Sequence, residues 1–319
     1  DLTGEGAPDV VVAVAAEGAV VYFVNNGAGG FDSAARVTIA TDTAQVWWIA
    51  LGDVNGDGAV DVVSASATSG LIAWHVNLGR GSFAAGSQTI DTSLTNARFI
   101  GLEDLDRDGT PDVFVAADSA ATVAWYANNG SAVAVAASSV TITTVAKRAK
   151  SIALADFNLD GTVDAAIAST SDDLFALYPN AGHGSFALAT KTNVLTSLDG
   201  PIAVVAADLN ADGLPDMICI AGDGLAVVML NNPISPGTFA SSPALRTDLC
   251  TTCPTPLAAA AGDLDSDGHL DVVLATSGSP SLLAFYNTGG SASFPAGAIA
   301  LATGLGAVQD LVIADINGD

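Results

Sequence analysis

The segment Asp53-Val54-Asn55-Gly56-Asp57-Gly58-Ala59-Val60-Asp61 puts oxygen-bearing side chains at its positions 1, 3, 5 and 9, around a glycine at position 6. The same pattern, Asp-x-Asn/Asp-x-Asp-Gly-x-x-Asp, returns at 104–112, 156–164, 208–216 and 263–271. A weaker copy opens the chain with Asp1, Thr3, Glu5 and Asp9, and Asp315, Asn317 and Asp319 begin another. First positions are spaced by 52, 51, 52, 52, 55 and 52 residues. A period this even denotes a repeat architecture.

Between the loops each period reads alike. Asp61 to Ala67 is a β-branched run, Ser69-Gly70 a turn signal, and Leu71 to Asn77 a second apolar run ending in Asn-x-Gly. A loop closed by Gly-x-Phe at Phe83 follows, then runs at Gln88 to Asp91 and Phe99 to Leu102 that lead into the next acidic loop. Helical caps and 3.6-residue periodicity are absent. Four strands per unit of about 50 residues, repeated radially so that few edges stay open, describe an all-β chain folded as a β-propeller of four-stranded blades, with the acidic loops between first and second strands.

The chain, 1–319, is expected to be one propeller domain of six complete repeats plus the start of a further one. Both ends lie inside the acidic motif, and a six-bladed ring needs that motif once at the junction. The duplication favours seven blades over the six-bladed alternative, in a chain that is part of a longer protein.

The acidic loop paired with Asn-Asn-Gly-x-Gly-x-Phe, as at Asn25 to Phe31, resembles the FG-GAP and VCBS-type repeats of integrin alpha-chain propellers, fungal propeller lectins and many secreted microbial proteins. The resemblance runs over essentially the whole chain. It implies a propeller that binds calcium and leaves the ligand open, since the family hosts adhesion, sugar binding and, in some members, lyase or dehydratase chemistry.

Calcium takes six to eight oxygens, and alternate residues of one tight loop aim at a single point. The expected ligand sets are Asp53, Asn55, Asp57, Ala59 and Asp61; Asp104, Asp106, Asp108, Thr110 and Asp112; Asp156, Asn158, Asp160, Thr162 and Asp164; Asp208, Asn210, Asp212, Leu214 and Asp216; and Asp263, Asp265, Asp267, His269 and Asp271. Position 7 serves through its carbonyl in each. Weaker sets are Asp1, Thr3, Glu5 and Asp9, and Asp315, Asn317 and Asp319. About five to seven structural calcium (Ca2+) sites follow. The loops close with Asp at position 9 and lead into strands, so they are not EF-hands.

Loop positions account for 22 of the 34 acidic residues, so most of the net charge of -25 sits in these sites. Only nine basic residues oppose it, which argues against nucleic acid as partner, since its phosphates demand a basic surface. Every apolar run is cut by Gly, Asp or Asn before the ~18 residues of a membrane span. His75, His183 and His269 fall in different units, and no nucleophile elbow, phosphate loop or zinc spacing is present.

Cys250-Thr-Thr-Cys253 marks the 55-residue spacing and reads as a local disulfide clip, whereas Cys219 on an apolar run reads as a buried thiol. Asn129-Gly130-Ser131 is a glycosylation sequon, with Asn129 the acceptor. Calcium loops, clip and sequon point to a secreted or cell-surface location. Aligning the units puts Trp47, Arg98, Lys150, Ile202, Leu257 and Gln309 at one position, at the end of the innermost strand away from the acidic loops. Trp47, Arg98 and Lys150 there form a candidate ligand rim, in which an indole stacks a sugar and the cations pair with its acid groups. Two functions remain. One is a non-enzymatic extracellular calcium-binding module for adhesion, ligand binding or filament assembly, whose partner is a protein or glycan, or other chains or flanking domains. The other is a carbohydrate-active protein, a polysaccharide lyase or a lectin for acidic glycans.

Overall fold

A computed structural model describes residues 1–32, 36–41, 45–118, 122–130, 139–143, 146, 148–186, 191–196, 198–239, 245–251, 253–295, 297–305, 308 and 310–314. The described residues contain strands and no helix, so none is long and apolar enough to cross a membrane. They form two compact units, one holding residues up to 145 with 182–184, the other the rest from 146 to 314.

The first unit holds three sheets. One is three-stranded, β1 (Val10–Val14), β2 (Ala19–Phe23) and β3 (Val37–Ala40); two are four-stranded, β4 (Val46–Gly52) to β7 (Gln88–Asp91) through β5 (Asp61–Ser66) and β6 (Ile72–His75), and β8 (Ala97–Glu103) to β11 (Ser139–Thr143) through β9 (Asp112–Ala117) and β10 (Thr122–Tyr126). The second unit repeats the four-stranded plan three times. Its sheets are β12 (Ala149–Ala155), β13 (Asp164–Ser169), β14 (Leu174–Tyr178) and β15 (Thr192–Thr196); β16 (Pro201–Ala207), β17 (Asp216–Ala221), β18 (Ala226–Met229) and β19 (Arg246–Cys250); β20 (Pro256–Gly262), β21 (Asp271–Thr276), β22 (Leu282–Phe285) and β23 (Ile299–Ala302).

All neighbours are antiparallel and follow chain order. Each four-stranded blade therefore begins with the run before an acidic loop, and the loop joins its first and second strands, whereas β1 of the three-stranded sheet follows its loop. The fold class is the β-propeller. Six sheets fit six blades; the seventh, which the duplicated motif favoured, has no strands among the described residues. One of the six sheets has three strands where four were expected.

The second strand of each four-stranded sheet is buried at all six positions, and in β5 and β17 alternate side chains pack on the two neighbouring sheets of the same unit. In the first unit Val62 packs with Val20 and Tyr22 of the preceding sheet, while Val63 packs with Val113 and Val115 of the following one. In the second, Met217 and Cys219 face Phe175 and Leu177, whereas Ile218 and Ile220 face Val272 and Leu274. Each fully buried side chain of this size contributes about 1.5–3 kcal/mol. The cores thus lie between sheets, which fixes neighbouring blades against each other within each unit and leaves their ends for sites.

Candidate metal loops and ligand rim

At one end of the sheets, the loop 53–61 wraps its first side chain. Asp53 accepts main-chain hydrogen bonds from Asp57 N to Oδ1 at 3.0 Å and from Gly58 N to Oδ2 at 2.8 Å. Gly58 holds φ +88°, a conformation that costs a residue with a Cβ, and position 6 is glycine in every copy that reaches it. The Asp57 carboxylate accepts from Ala59 N at 2.9 Å. Asp104, Asp208 and Asp263 repeat the first-position pattern, with Gly109, Gly213 and Gly268 donating at 3.0, 2.9 and 2.9 Å.

Carboxylate oxygens of Asp104, Asp106 and Asp108 lie within 4.8 Å of one another, as do those of Asp263, Asp265 and Asp267. Burial and the neighbouring Asp108 charge raise the Asp106 carboxyl above its ordinary value, the mark of acids crowded without a counter-charge. In the loop 156–164, Asp156 Oδ2 accepts from Gly161 N at 2.7 Å, while its buried Oδ1 has no hydrogen-bond partner. Such an oxygen is costly unless a cation meets it. The grouped carboxylates of the loops 104–112 and 263–271 and, in a third loop, the unmatched oxygen of Asp156 are hard donors of the kind a hard divalent cation fits.

Position 9 behaves differently. Asp61 is fully buried, and its two oxygens accept from Val54 N at 3.1 Å and Asn77 N at 2.7 Å. Asp112, Asp164, Asp216 and Asp271 do the same with the N–H of position 2 and of Asn128, Asn180, Asn231 and Asn287. Burial pushes Asp112 and Asp216 up to about 7 and Asp164 up to about 6, against the pull of those N–H donors. These acids hold the loop shut.

The asparagine paired with each of them was not singled out from sequence as a functional residue. Asn77 Nδ2 donates to Val60 O and to Leu2 O in the preceding acidic loop, both at 3.0 Å. Asn231 bonds Phe157 O at 2.7 Å and Pro215 O at 3.1 Å, and Asn287 bonds Leu209 O at 2.8 Å. Its signal was present, an Asn recurring 15 or 16 residues after position 9. Beside it, Gly184 N donates to Leu105 O at 3.0 Å and Gly184 O accepts from Trp125 Nε1 at 3.1 Å. Trp74 and Trp125 are both buried, as inter-blade packing requires. The weaker set Asp1, Thr3 and Glu5 flanks a cavity of about 480 Å³ that Ala59 and Arg80 also line. Asp315, Asn317 and Asp319 lie outside the described residues.

At the other end of the sheets, every four-stranded blade has a β-bulge in its first strand. Val46 pairs with Ser66 and Trp48 with Ala65, so Trp47 is the extra residue. Arg98 on β8, Lys150 on β12, Ile202 on β16 and Leu257 on β20 occupy the same place. The alignment that grouped them is thus a backbone feature, and bulges re-aim side chains at strand ends. Gln309 is outside the described residues.

The structure brings Trp47 and Arg98 together, the guanidinium carbon standing 5.1 Å from the indole centroid. Arg98 also pairs with Asp118 at 3.6 Å. Lys150 belongs to the other unit. Cys250 and Cys253 form a disulfide, and Cys219 is a buried free thiol whose titration burial pushes up. Asn129 is exposed; Ser131 of its sequon is not among the described residues.

A propeller whose four-stranded blades each carry an oxygen-lined loop between first and second strands is the class this geometry defines. The model of the FG-GAP-like repeat matches residues 1–64, 53–115, 104–167, 156–219, 208–274 and 263–319. The chain belongs to the FG-GAP-like repeat family. Among curated proteins none matches it. Among solved structures, a lectin from Agrocybe aegerita that recognises non-reducing terminal N-acetylglucosamine is similar with TM-score 0.67 and 20% identity, over 95% of this chain and 79% of the lectin. The periplasmic gluconolactonase PpgL of Pseudomonas aeruginosa is similar with TM-score 0.57 and 16% identity, over 89% of this chain and 78% of its own. Likenesses at these identities show the fold alone.

Proposed function

We propose that this chain is a non-enzymatic, extracellular binding module whose blades are stiffened by calcium in the acidic loops. The observation that carries the reading is the repetition of one oxygen-lined loop in blade after blade, with the buried Asp156 Oδ1 unmatched by any protein donor. A metal that serves one reaction occupies one place, whereas these positions recur with the fold. Positions 1, 3 and 5 of each loop would hold the ion, and position 9 would hold the loop around it. Calcium supplies there a charge that lets neighbouring carboxylates stay close. Millimolar calcium outside cells fills sites of modest affinity, and the Cys250–Cys253 disulfide and the exposed Asn129 support the same location. Its ligand is a glycan or a protein met at the end opposite the loops, a reading that the fold shared with a lectin supports. Calorimetric titration of the chelator-treated chain with calcium tests the metal reading, with several ions bound per chain expected. Metal-dependent cleavage of an acidic polysaccharide by the pure chain would replace the module with an enzyme.

A further inference from the structure

Three acidic loops carry asparagine at position 3, and their side chains are held alike. Asn55, Asn158 and Asn210 each donate from Nδ2 to the position-5 carboxylate, at 2.9, 2.9 and 3.0 Å. Each accepts the position-5 N–H on Oδ1, at 2.9, 2.9 and 3.1 Å. Position 4 has a left-handed backbone in all three, with φ of 73° at Gly56, 56° at Leu159 and 58° at Ala211. The loops differ in what position 4 carries. Leu159 and Ala211 put a side chain beside the peptide nitrogen that follows the asparagine, and Gly56 does not.

That nitrogen is a nucleophile for the asparagine before it. Once the Gly56 N–H gives its proton to hydroxide, the nitrogen bonds to Asn55 Cγ, whose oxygen takes the charge while it accepts the Asp57 N–H. Nδ2 takes a proton from water and leaves as ammonia, which closes a five-membered succinimide ring. Water then opens the ring at either carbonyl and leaves aspartate or isoaspartate. The sum is water taken up and ammonia released. Gly56 is exposed, and its N–H has no hydrogen-bond partner among the described residues, so nothing has to break before it reacts.

The other described Asn-Gly pairs are guarded. Gly27 N donates to Oδ1 of the buried Asn25 at 3.0 Å and Gly130 N to Oδ1 of the buried Asn128 at 3.1 Å, so each nitrogen must give up a bond before it attacks. Asn26 and Asn129 are more exposed than Asn55, so exposure and mechanism point to different residues. We propose that Asn55 is a site of spontaneous deamidation through Gly56, in the acidic loop where position 4 leaves the attack open. Isoaspartate at 55 adds a methylene to the backbone and draws the side-chain oxygen back from position 3. On the reading that positions 1, 3 and 5 hold calcium, the ion fixes the Asn55 amide and slows the reaction. Loop 53–61 then registers time spent without calcium.

The test is peptide mass spectrometry of the whole chain, made without glycosylation and aged in mildly alkaline buffer, in chelator and in millimolar calcium. In chelator Asn55 should gain about 1 Da, chiefly as isoaspartate, about tenfold or more faster than Asn26, Asn129, Asn158 or Asn210. Gly56→Ala copies position 4 of the loop 208–216, and its Cβ would meet nothing within 4 Å; it should stop the gain. Ala211→Gly should start the same gain at Asn210. Unchanged melting of both variants confirms that they fold. An intact Asn55, a faster change at Asn26 or Asn129, an unmoved rate in Gly56→Ala, or a silent Asn210 in Ala211→Gly each overturns the proposal. Calcium should slow Asn55 about fivefold or more and leave Asn26 unmoved, since the ion binds only the folded loop. Equal rates at Asn55 with and without calcium would remove the ion from this loop while the modification site stands.

Discussion

At position 9 of each loop a carboxylate is removed from water and given two main-chain N–H donors, and at positions 1 to 5 the carboxylates are left close together. That division of labour makes residue-scale predictions distinct. Asp108→Ala removes one converging oxygen from a single loop, and should lower calcium stoichiometry by one ion while the other loops still fill; an unchanged count in calorimetry would refute the assignment. Asn231→Ala removes two Nδ2 bonds, to Phe157 O and Pro215 O, and leaves the first carbonyl buried and the second part-buried. Unpaired buried groups cost about 1–3 kcal/mol each. The chain should lose stability of that order in urea, with calcium stoichiometry intact. The aspartate pattern was legible in the sequence because alternation of oxygen-bearing residues is itself the chemistry. The asparagine was legible only as part of a turn motif, since its partner Phe157 lies 74 residues away.

The element scale is that of the loop with the strand it opens. β9, β13 and β17 each start at a buried acid, with Asp112 and Asp216 raised to about 7 and Asp164 to about 6 by burial. The unfolded carboxyls titrate near 4. Between about pH 4 and 7 the folded metal-free chain then binds more protons than the unfolded chain, so its stability falls as pH rises through that window. In chelator the melting temperature should be higher at pH 5 than at pH 7.5. Added calcium should reverse the order, because the ion favours the ionised loop. Melting curves at the two pH values, with and without calcium, check both signs, and a metal-free chain most stable at pH 7.5 would count against the buried acids. The bulge belongs to this scale too. Trp47, Arg98 and Lys150 could be aligned from loop spacing, but their being extra residues of a strand could not, because a bulge shows only when register is counted against the partner strand.

At the scale of the whole molecule, ions bound only by the folded chain stabilise it by mass action, and several equivalent sites add. Chelation should lower the melting temperature by more than ten degrees, and an unchanged value would remove calcium from the architecture. Repeat period, strand order, blade class and loop chemistry were determined by the sequence alone. They rest on local causes, namely alternation along a strand, glycine at a left-handed turn and oxygens two residues apart, and local causes repeat wherever the residues do. Only the tertiary structure decided which asparagine ties each loop to the blade before it, that Asp118 neutralises Arg98, and that Arg98 lies over Trp47 while the equivalent Lys150 stands in another unit. Those relations join residues 20 to 78 positions apart through sheet packing. Spacing along the chain carries no trace of them, since each depends on how one strand's side chains meet another's.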